Sequence, residues 1–356
     1  MIAERLKRLR TALAEQGLPA LLISNPYNRK YITGFTGSSG YVLVTDRDAI
    51  LFTDFRYREQ APKQAPLYRI VEHEPRAMLS VRQVLQELGI SELGFEQNGV
   101  TYGAFLSFAE DLKGIQLLPT DSIVEKLRMI KDAAELKIMQ EAVELADRAF
   151  THILGYIKPG AKERDIALEL EFFLRKNGAA GTSFDTIVAS GERSALPHGV
   201  ASDRVLQPNE FVKLDFGALY QGYCSDITRT VFIGKPTDRH KEIYRIVLEA
   251  QLHALANLRP GMTGREGDSL TRDIITKYGY GDCFGHGTGH SLGMQIHEAP
   301  RLSQTCDTVM EPGMTMTVEP GIYISGFGGV RIEDDIVFTE TGIRILTHSS
   351  KEFLCL

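Results

Sequence analysis

The sequence predicts two domains: an α/β domain over 1–122, then an α+β domain over 123–356 built from two similar halves. Three observations predict this. A length of 356 residues favours two cores over one. The first 120 or so residues alternate short apolar strands with amphipathic helices. The remainder runs through one order of turns and strands twice.

The elements of the first domain follow in order. Ile2, Leu6, Leu9 and Leu13 mark one face of a helix. Ala20 to Ile23 is a short buried strand. The stretches 41–44 and 49–52 form a hairpin around Asp46, Arg47 and Asp48. Helices are expected over 78–88 and 102–112, and strands over 68–71 and 93–95. The run from Pro119 to Ser122 marks the boundary. Beyond it, Asp132 with Glu135 reads as a capping box opening a helix that runs to about Tyr156.

The repeat organises the second domain. Pro159-Gly160, Arg164 and Asn177-Gly178 are echoed by Pro260-Gly261, Arg265 and Tyr278-Gly279. Further on, Asp203 to Pro208 leading to Asp215 is echoed by Asp307 to Pro312 leading to Glu319. Each half reads as helix, Pro-Gly turn, helix, loop, then strands bearing two carboxylates. Two such halves facing each other bring four carboxylates into one cleft.

The carboxylates carry the chemistry. Residues 211–218 read as a strand, Tyr220 to Gly222 as a turn, and 223–232 as the returning strand. With the turn centred between Tyr220 and Gln221, Asp215 faces Asp226 across the ladder. Like charges so placed destabilise a hairpin unless a cation joins them. Glu319 closes one apolar strand, and Glu333 opens another after the glycines at 326, 328 and 329. Carboxylates among Val, Ile and Met are costly to bury unpaired. Taken alone, the acidic run Glu333, Asp334, Asp335 reads as a solvated edge. His286 and His290 lie in a stretch with three glycines, so they sit on a loop and not on a zinc-protease helix. His297 follows. Asp215, Asp226, His290, Glu319 and Glu333 thus read as an oxygen-rich site for two hard divalent metals.

Composition narrows the alternatives. The formal charge of −6 gives no basic footprint, so nucleic acid is not an expected partner. No apolar run is long enough to span a bilayer, and no membrane partner is expected. The charged N-terminus has no secretory apolar core. Cys224, Cys283, Cys306 and Cys355 show no paired spacing, which points to free thiols and a cytoplasmic setting.

These residues resemble a known family. Asp215, Asp226, the Gly285–His290 loop, His297 to Pro300, Val318 to Gly321 and Arg331 to Glu333 are similar to the signatures of the pita-bread metallopeptidases. The fuller resemblance is to the proline-specific branch, Xaa-Pro dipeptidase (prolidase) and Xaa-Pro aminopeptidase. Pro197-His198-Gly199 fits that branch, as do the stretches 31–37 and 53–57. The resemblance covers essentially the whole chain. It implies a creatinase/prolidase N-terminal-like domain before a pita-bread domain with internal two-fold pseudo-symmetry.

The resemblance also implies roles. Asp215 and Asp226 hold one metal, His290 and Glu319 the other, and Asp226 and Glu333 bridge both. A hydroxide between ions about 3.5–4 Å apart attacks the scissile carbonyl. Glu319 shuttles its proton. His198 and His297 bind substrate and stabilise the oxyanion. His286 and Arg331 orient the ligands from behind. Mn²⁺ is the expected ion, with Co²⁺ or Zn²⁺ able to substitute. The substrates are small peptides with proline second, and a homodimer is expected.

Dipeptides are the leading substrates, with Arg301 the candidate for binding their free carboxylate. The alternative is an Xaa-Pro aminopeptidase acting on longer peptides. More distant readings are a creatinase-like hydrolase and a binding module.

Overall fold

In the computed structural model, which describes residues 1–356, the alternating segment at the start of the chain forms a six-stranded mixed sheet. Its strands are β1 (Ala20–Ile23), β2 (Tyr41–Thr45), β3 (Ala49–Thr53), β4 (Arg69–Glu72), β5 (Glu92–Glu96) and β6 (Gln116–Thr120), in spatial order β4-β3-β2-β1-β5-β6. The expected hairpin joins β2 to β3, with Val44 opposite Ala49. The helices are α1 (Ile2–Glu15), α2 (Pro26–Thr33), α3 (Gln60–Gln64), α4 (Ala77–Glu87), α5 (Tyr102–Asp111) and α6 (Ile123–Met129). α1 buries Leu6, Leu9 and Leu13, as its stripe predicts. Val81 and Leu85 of α4 pack into one core with Leu22, Leu43 and Phe52.

Two compact units divide at Arg128/Met129, beyond the Ser122 of the sequence reading. α6 explains the difference. Its Glu125 accepts from Asn28 Nδ2 at 2.6 Å, its Leu127 carbonyl accepts from the Tyr31 hydroxyl at 3.1 Å, and Arg128 donates to Asn28 Oδ1 at 2.7 Å. A helix tied to α2 by three polar contacts folds with the first unit.

The second unit is the duplicated one. Its first half holds α7 (Ala133–Ile153), α8 (Glu163–Lys176), β7 (Gly181–Thr182), β8 (Ile187–Ser190), β9 (Glu210–Phe216), β10 (Ala218–Tyr220), β11 (Tyr223–Cys224) and β12 (Ile227–Ile233). Its second half holds α9 (Asp238–Asn257), α10 (Gly264–Lys277), β13 (Gly289–Ser291), β14 (Glu298–Leu302), β15 (Thr315–Val318), β16 (Gly321–Ile324), β17 (Gly328–Arg331), β18 (Asp334–Phe338) and β19 (Ile343–Ile345). The capping box at Asp132 and Glu135 opens α7, and one turn of 3₁₀ helix carries it to Tyr156.

Matching hydrogen bonds confirm the repeat. Gly160 donates to Leu206 at 3.0 Å, and Gly261 donates to Met310 at 2.9 Å. Arg164 pairs with Asp203 and Arg265 with Asp307, both at 2.8 Å. The sheets are β12-β9-β8 and β11-β10-β7 in the first half, and β14-β13-β15-β18-β19 and the pair β16-β17 in the second. Ile166, Leu170, Val212 and Leu214 pack α8 onto β9. Each such buried side chain contributes about 1.5–3 kcal/mol.

The first hairpin differs in register from the expectation. Its turn is Gln221-Gly222, with φ of 49° and 87°. Two positive φ values define the two-residue turn that matches strand twist, and glycine takes the second without strain. The pairing is therefore Tyr220 with Tyr223 and Asp215 with Thr228. Asp226 is not opposite Asp215; it lies two residues from the residue that is. A slip of two keeps side-chain parity, so both acids stay on one face.

Both arms of this hairpin are interrupted, at Gly217 and at Ser225-Asp226. A side chain at position 217 would start 1.8 Å from the Ser225 carbonyl oxygen, so only glycine fits there. The second half breaks in the same way, at Glu319-Pro320 and at Ile332-Glu333.

Candidate active site

Those breaks aim the acids at one place. Asp215, at the end of β9, and Asp226, Glu319 and Glu333, in three of the interruptions, line one cleft with His290 of β13. His198, His286, His297 and Arg301 line it too, and its volume is about 360 Å³. Of the ten residues singled out by sequence, Arg331 alone lies behind the wall, 3% exposed.

The geometry is tight. Oxygen or nitrogen atoms of Asp226, His290 and Glu333 all lie within 4.8 Å of one another. His290 Nε2 is 3.6 Å from Asp226 Oδ2 and 3.4 Å from Glu319 Oε1. His290 Nδ1 lies 3.1 Å from the Ser291 carbonyl. That contact places the ring proton on Nδ1 and leaves the Nε2 lone pair towards the carboxylates. Arg331 donates to Asp215 Oδ2, to Thr228 Oγ1 at 3.0 Å and to the Tyr323 hydroxyl at 2.7 Å. The same hydroxyl lies 2.8 Å from His286 Nε2.

The electrostatics show what the cluster lacks. Burial, then Glu333 and Asp215, push the Asp226 carboxyl well above its usual range. Burial, then Glu319 and Asp215, do the same to Glu333. Burial lifts Glu319 to about 7 against the pull of Arg331. Burial, with His297 beside it, drops His290 to about 3, so its imidazole is neutral near pH 7. Burial and Arg331 take His286 down to about 4. Asp226 Oδ1 and Glu333 Oε1 are buried without a hydrogen-bond partner. Orphaned carboxylate oxygens beside a neutral imidazole fit hard divalent cations.

The sequence reading missed the residues that hold the acids in place. Thr228 Oγ1 donates to Glu333 Oε2 at 2.6 Å. Thr317 Oγ1 donates to Glu319 Oε1 at 3.0 Å. Asp335 Oδ2 accepts from the Asp226 backbone N–H at 2.9 Å. Lys213 is buried completely behind Asp215. Each stands two residues from a cleft acid, so strand alternation was the available signal. The acidic run is not a solvated edge. Glu333, Asp334 and Asp335 are at most 2% exposed, and Asp334 is paired with Arg229 at 2.7 Å.

A pseudo-symmetric α+β unit that gathers four carboxylates and a neutral histidine in one cleft defines a metal-dependent hydrolase. The comparisons give the family. Residues 137–340 match metallopeptidase family M24, and residues 5–130 match the creatinase/prolidase N-terminal domain. The chain belongs to metallopeptidase family M24, with the pita-bread fold, and is a hydrolase. It is 51% identical to the uncharacterized peptidase YqhT of Bacillus subtilis (strain 168), over 99% of this chain and 100% of that one. A solved structure of the Xaa-Pro dipeptidase from Bacillus anthracis is 53% identical, with a TM-score of 0.98 and full coverage of both chains. The X-Pro aminopeptidase from Thermotoga maritima MSB8 is 38% identical, with a TM-score of 0.92 and 99% coverage of each chain. No helix of the chain is long and apolar enough to cross a membrane.

Proposed function

We propose that the protein hydrolyses Xaa-Pro dipeptides, with two divalent ions held by Asp215, Asp226, His290, Glu319 and Glu333. The convergence of these five with His198, His297 and Arg301 on one cleft carries the reading. The family supports it, as does the likeness to a protein titled Xaa-Pro dipeptidase at 53% identity. A bound metal pair supplies an activated water at neutral pH and takes up charge at the scissile carbonyl. Manganese is the resident ion we favour, since the donors are mostly carboxylate oxygens.

The chain's own residues do the rest. Glu319, its Oε1 held by Thr317, accepts a proton and returns it to the proline nitrogen as the bond breaks. His198 and His297 stand exposed on the cleft wall and donate to the carbonyl oxygen. Arg331 holds Asp215, and His286 steadies Tyr323. Arg301 pairs in register with His290, so its guanidinium is within the same cleft. There it receives the free carboxylate of a dipeptide.

Proline explains why such a site is dedicated. It has no N–H and a fixed φ, so an extended peptidase cleft cannot pair with it. The rival reading is removal of one residue from longer Xaa-Pro peptides, kept in view by the Thermotoga maritima aminopeptidase. Four unpaired cysteines support a cytoplasmic setting, and a homodimer completes the reading.

Turnover of Ala-Pro and of Ala-Pro-Ala by Mn²⁺-loaded protein, with a chelated control, tests it. Metal-dependent cleavage of the dipeptide alone is the expected result. Preference for the tripeptide moves the assignment to the aminopeptidase. Activity that survives chelation removes the two-ion reading.

A further inference from the structure

Lys213 is 0% exposed, and three main-chain carbonyls surround its side-chain nitrogen. Its Nζ donates to the carbonyl oxygens of Leu196 at 2.6 Å, Ser194 at 3.1 Å and Pro197 at 3.4 Å. Three carbonyls of one short stretch surround the Nζ. A cation taken out of water is costly unless its contacts are good. Here they gather one short piece of chain, and that piece ends at the residue before His198.

The surrounding contacts have the same target. Arg331 also donates to the Pro197 carbonyl, at 3.1 Å. Glu163 clamps both ends of the loop, accepting from the Ser190 N–H at 2.8 Å and from the Ser202 N–H at 3.1 Å. Between Ala195 and Ser202 the loop's one strand-like link is a single bridge from Val200 to Ile187, beyond His198. On the side leading into His198, its backbone direction is set by where these carbonyls are held. Fixing the carbonyls of residues 196 and 197 fixes the peptide planes leading into His198.

We propose that Lys213 is the positioning residue for His198: its side-chain amino group gathers the three loop carbonyls and so sets where the imidazole stands on the cleft wall. Lys213 touches no substrate and acts through the loop. The role of His198 in turnover rests on the Xaa-Pro peptidase reading; the anchoring of the loop does not.

The test compares Lys213→Met with wild type, both Mn²⁺-loaded, in the wild-type and His198→Ala backgrounds. Two readouts are taken besides turnover: metal content, and hydrogen exchange of the amides over 194–202. Exchange there should rise about tenfold or more as local opening becomes easier. Turnover of Ala-Pro should fall about 10- to 100-fold, the usual range for a supporting residue. In the His198→Ala background the same substitution should change turnover less than about twofold, because the residue it positions is gone. Metal content should not change.

An equal loss in both backgrounds, loss of metal, or unchanged exchange overturns the proposal. If Lys213→Met does not fold, Lys213→Gln keeps an N–H₂ donor and carries the same comparison; failure of both to fold makes Lys213 a stability residue and overturns it. If wild type cleaves no Xaa-Pro dipeptide, the peptidase reading fails while the exchange comparison still decides the anchoring.

Discussion

Replacing Glu319 by glutamine should stabilise the metal-free protein at neutral pH and leave it unchanged in acid. The magnitude follows from its titration. Glu319 has an ordinary value of 4.5 and is lifted by burial to about 7 in the folded chain without ions. Between these values the folded state keeps a proton that the unfolded state has released. Stability therefore falls as pH rises through that window. A span of 7 − 4.5 = 2.5 units, at about 1.4 kcal/mol per unit, is about 3 kcal/mol.

Glutamine has the same shape and no proton to lose, and its amide oxygen still accepts from Thr317. Glu319→Gln should thus match wild type near pH 4.5 and exceed it by about 3 kcal/mol from pH 7 upwards, about 6–12 °C in Tm for a domain of this size. The difference between the two proteins cancels the buried histidines, whose depressed values act on stability in the opposite direction below about pH 6.5. Thermal melts after dialysis against a chelator, at several pH values and constant ionic strength, give the answer. With saturating Mn²⁺ the order should reverse, since the variant loses a donor. A metal-free variant no more stable than wild type at pH 7.5, or a gap that does not vary with pH, would refute the reasoning.

Asp226→Asn and Glu333→Gln should each abolish turnover in a folded protein and reduce bound metal below two ions per chain, read by elemental analysis beside circular dichroism. Thr228→Val removes the donor to Glu333 Oε2 and the acceptor for Arg331 Nε. It should cost about 1–3 kcal/mol in denaturant unfolding and weaken metal binding about 10- to 100-fold. His297→Ala should lower kcat severely at unchanged metal content, because its ring meets His290 edge to face, centroids 4.4 Å apart, without joining the donor cluster. Loss of metal in that variant would place His297 among the ligands.

Much of this site was legible because strand alternation and repetition are both written in residue order. The Pro-Gly turns and the echoed arginines and aspartates announced the two halves, and the hydrogen bonds of Gly160 and Gly261 bear that out. The hairpin register was not legible to the same precision. Nothing in the sequence says that Gln221 accepts a positive φ, and that choice moves the pairing partner of Asp215 from Asp226 to Thr228. The shift was two residues, so the shared face survived and the two acids still meet in one cleft. Asp335 was misjudged with its acidic neighbours because charge runs are usually solvated. Its burial depends on Asp226 offering a backbone N–H from a strand break more than a hundred residues away.

The strand breaks explain why the cluster needs both halves. Within one half, the two acids would be buried with no cation and with few hydrogen bonds from their own hairpin. The links that hold them run between halves: Thr228 to Glu333, Asp335 to Asp226, and the Glu333 N–H to the Thr228 carbonyl at 3.1 Å. Arg331 belongs to the second half and neutralises Asp215 of the first. Glu319 is held by Thr317 of its own half, but Asp215, Asp226 and Glu333 are each contacted from the other half, and the need for a cation is greatest at Asp226 and Glu333. These two, like Asp335 at Oδ1, keep a buried oxygen with no hydrogen-bond partner. A duplicated fold that links most of its carboxylates across the halves in this way concentrates the need for a cation at the pseudo-symmetry junction, which is where divalent ions would offset it most.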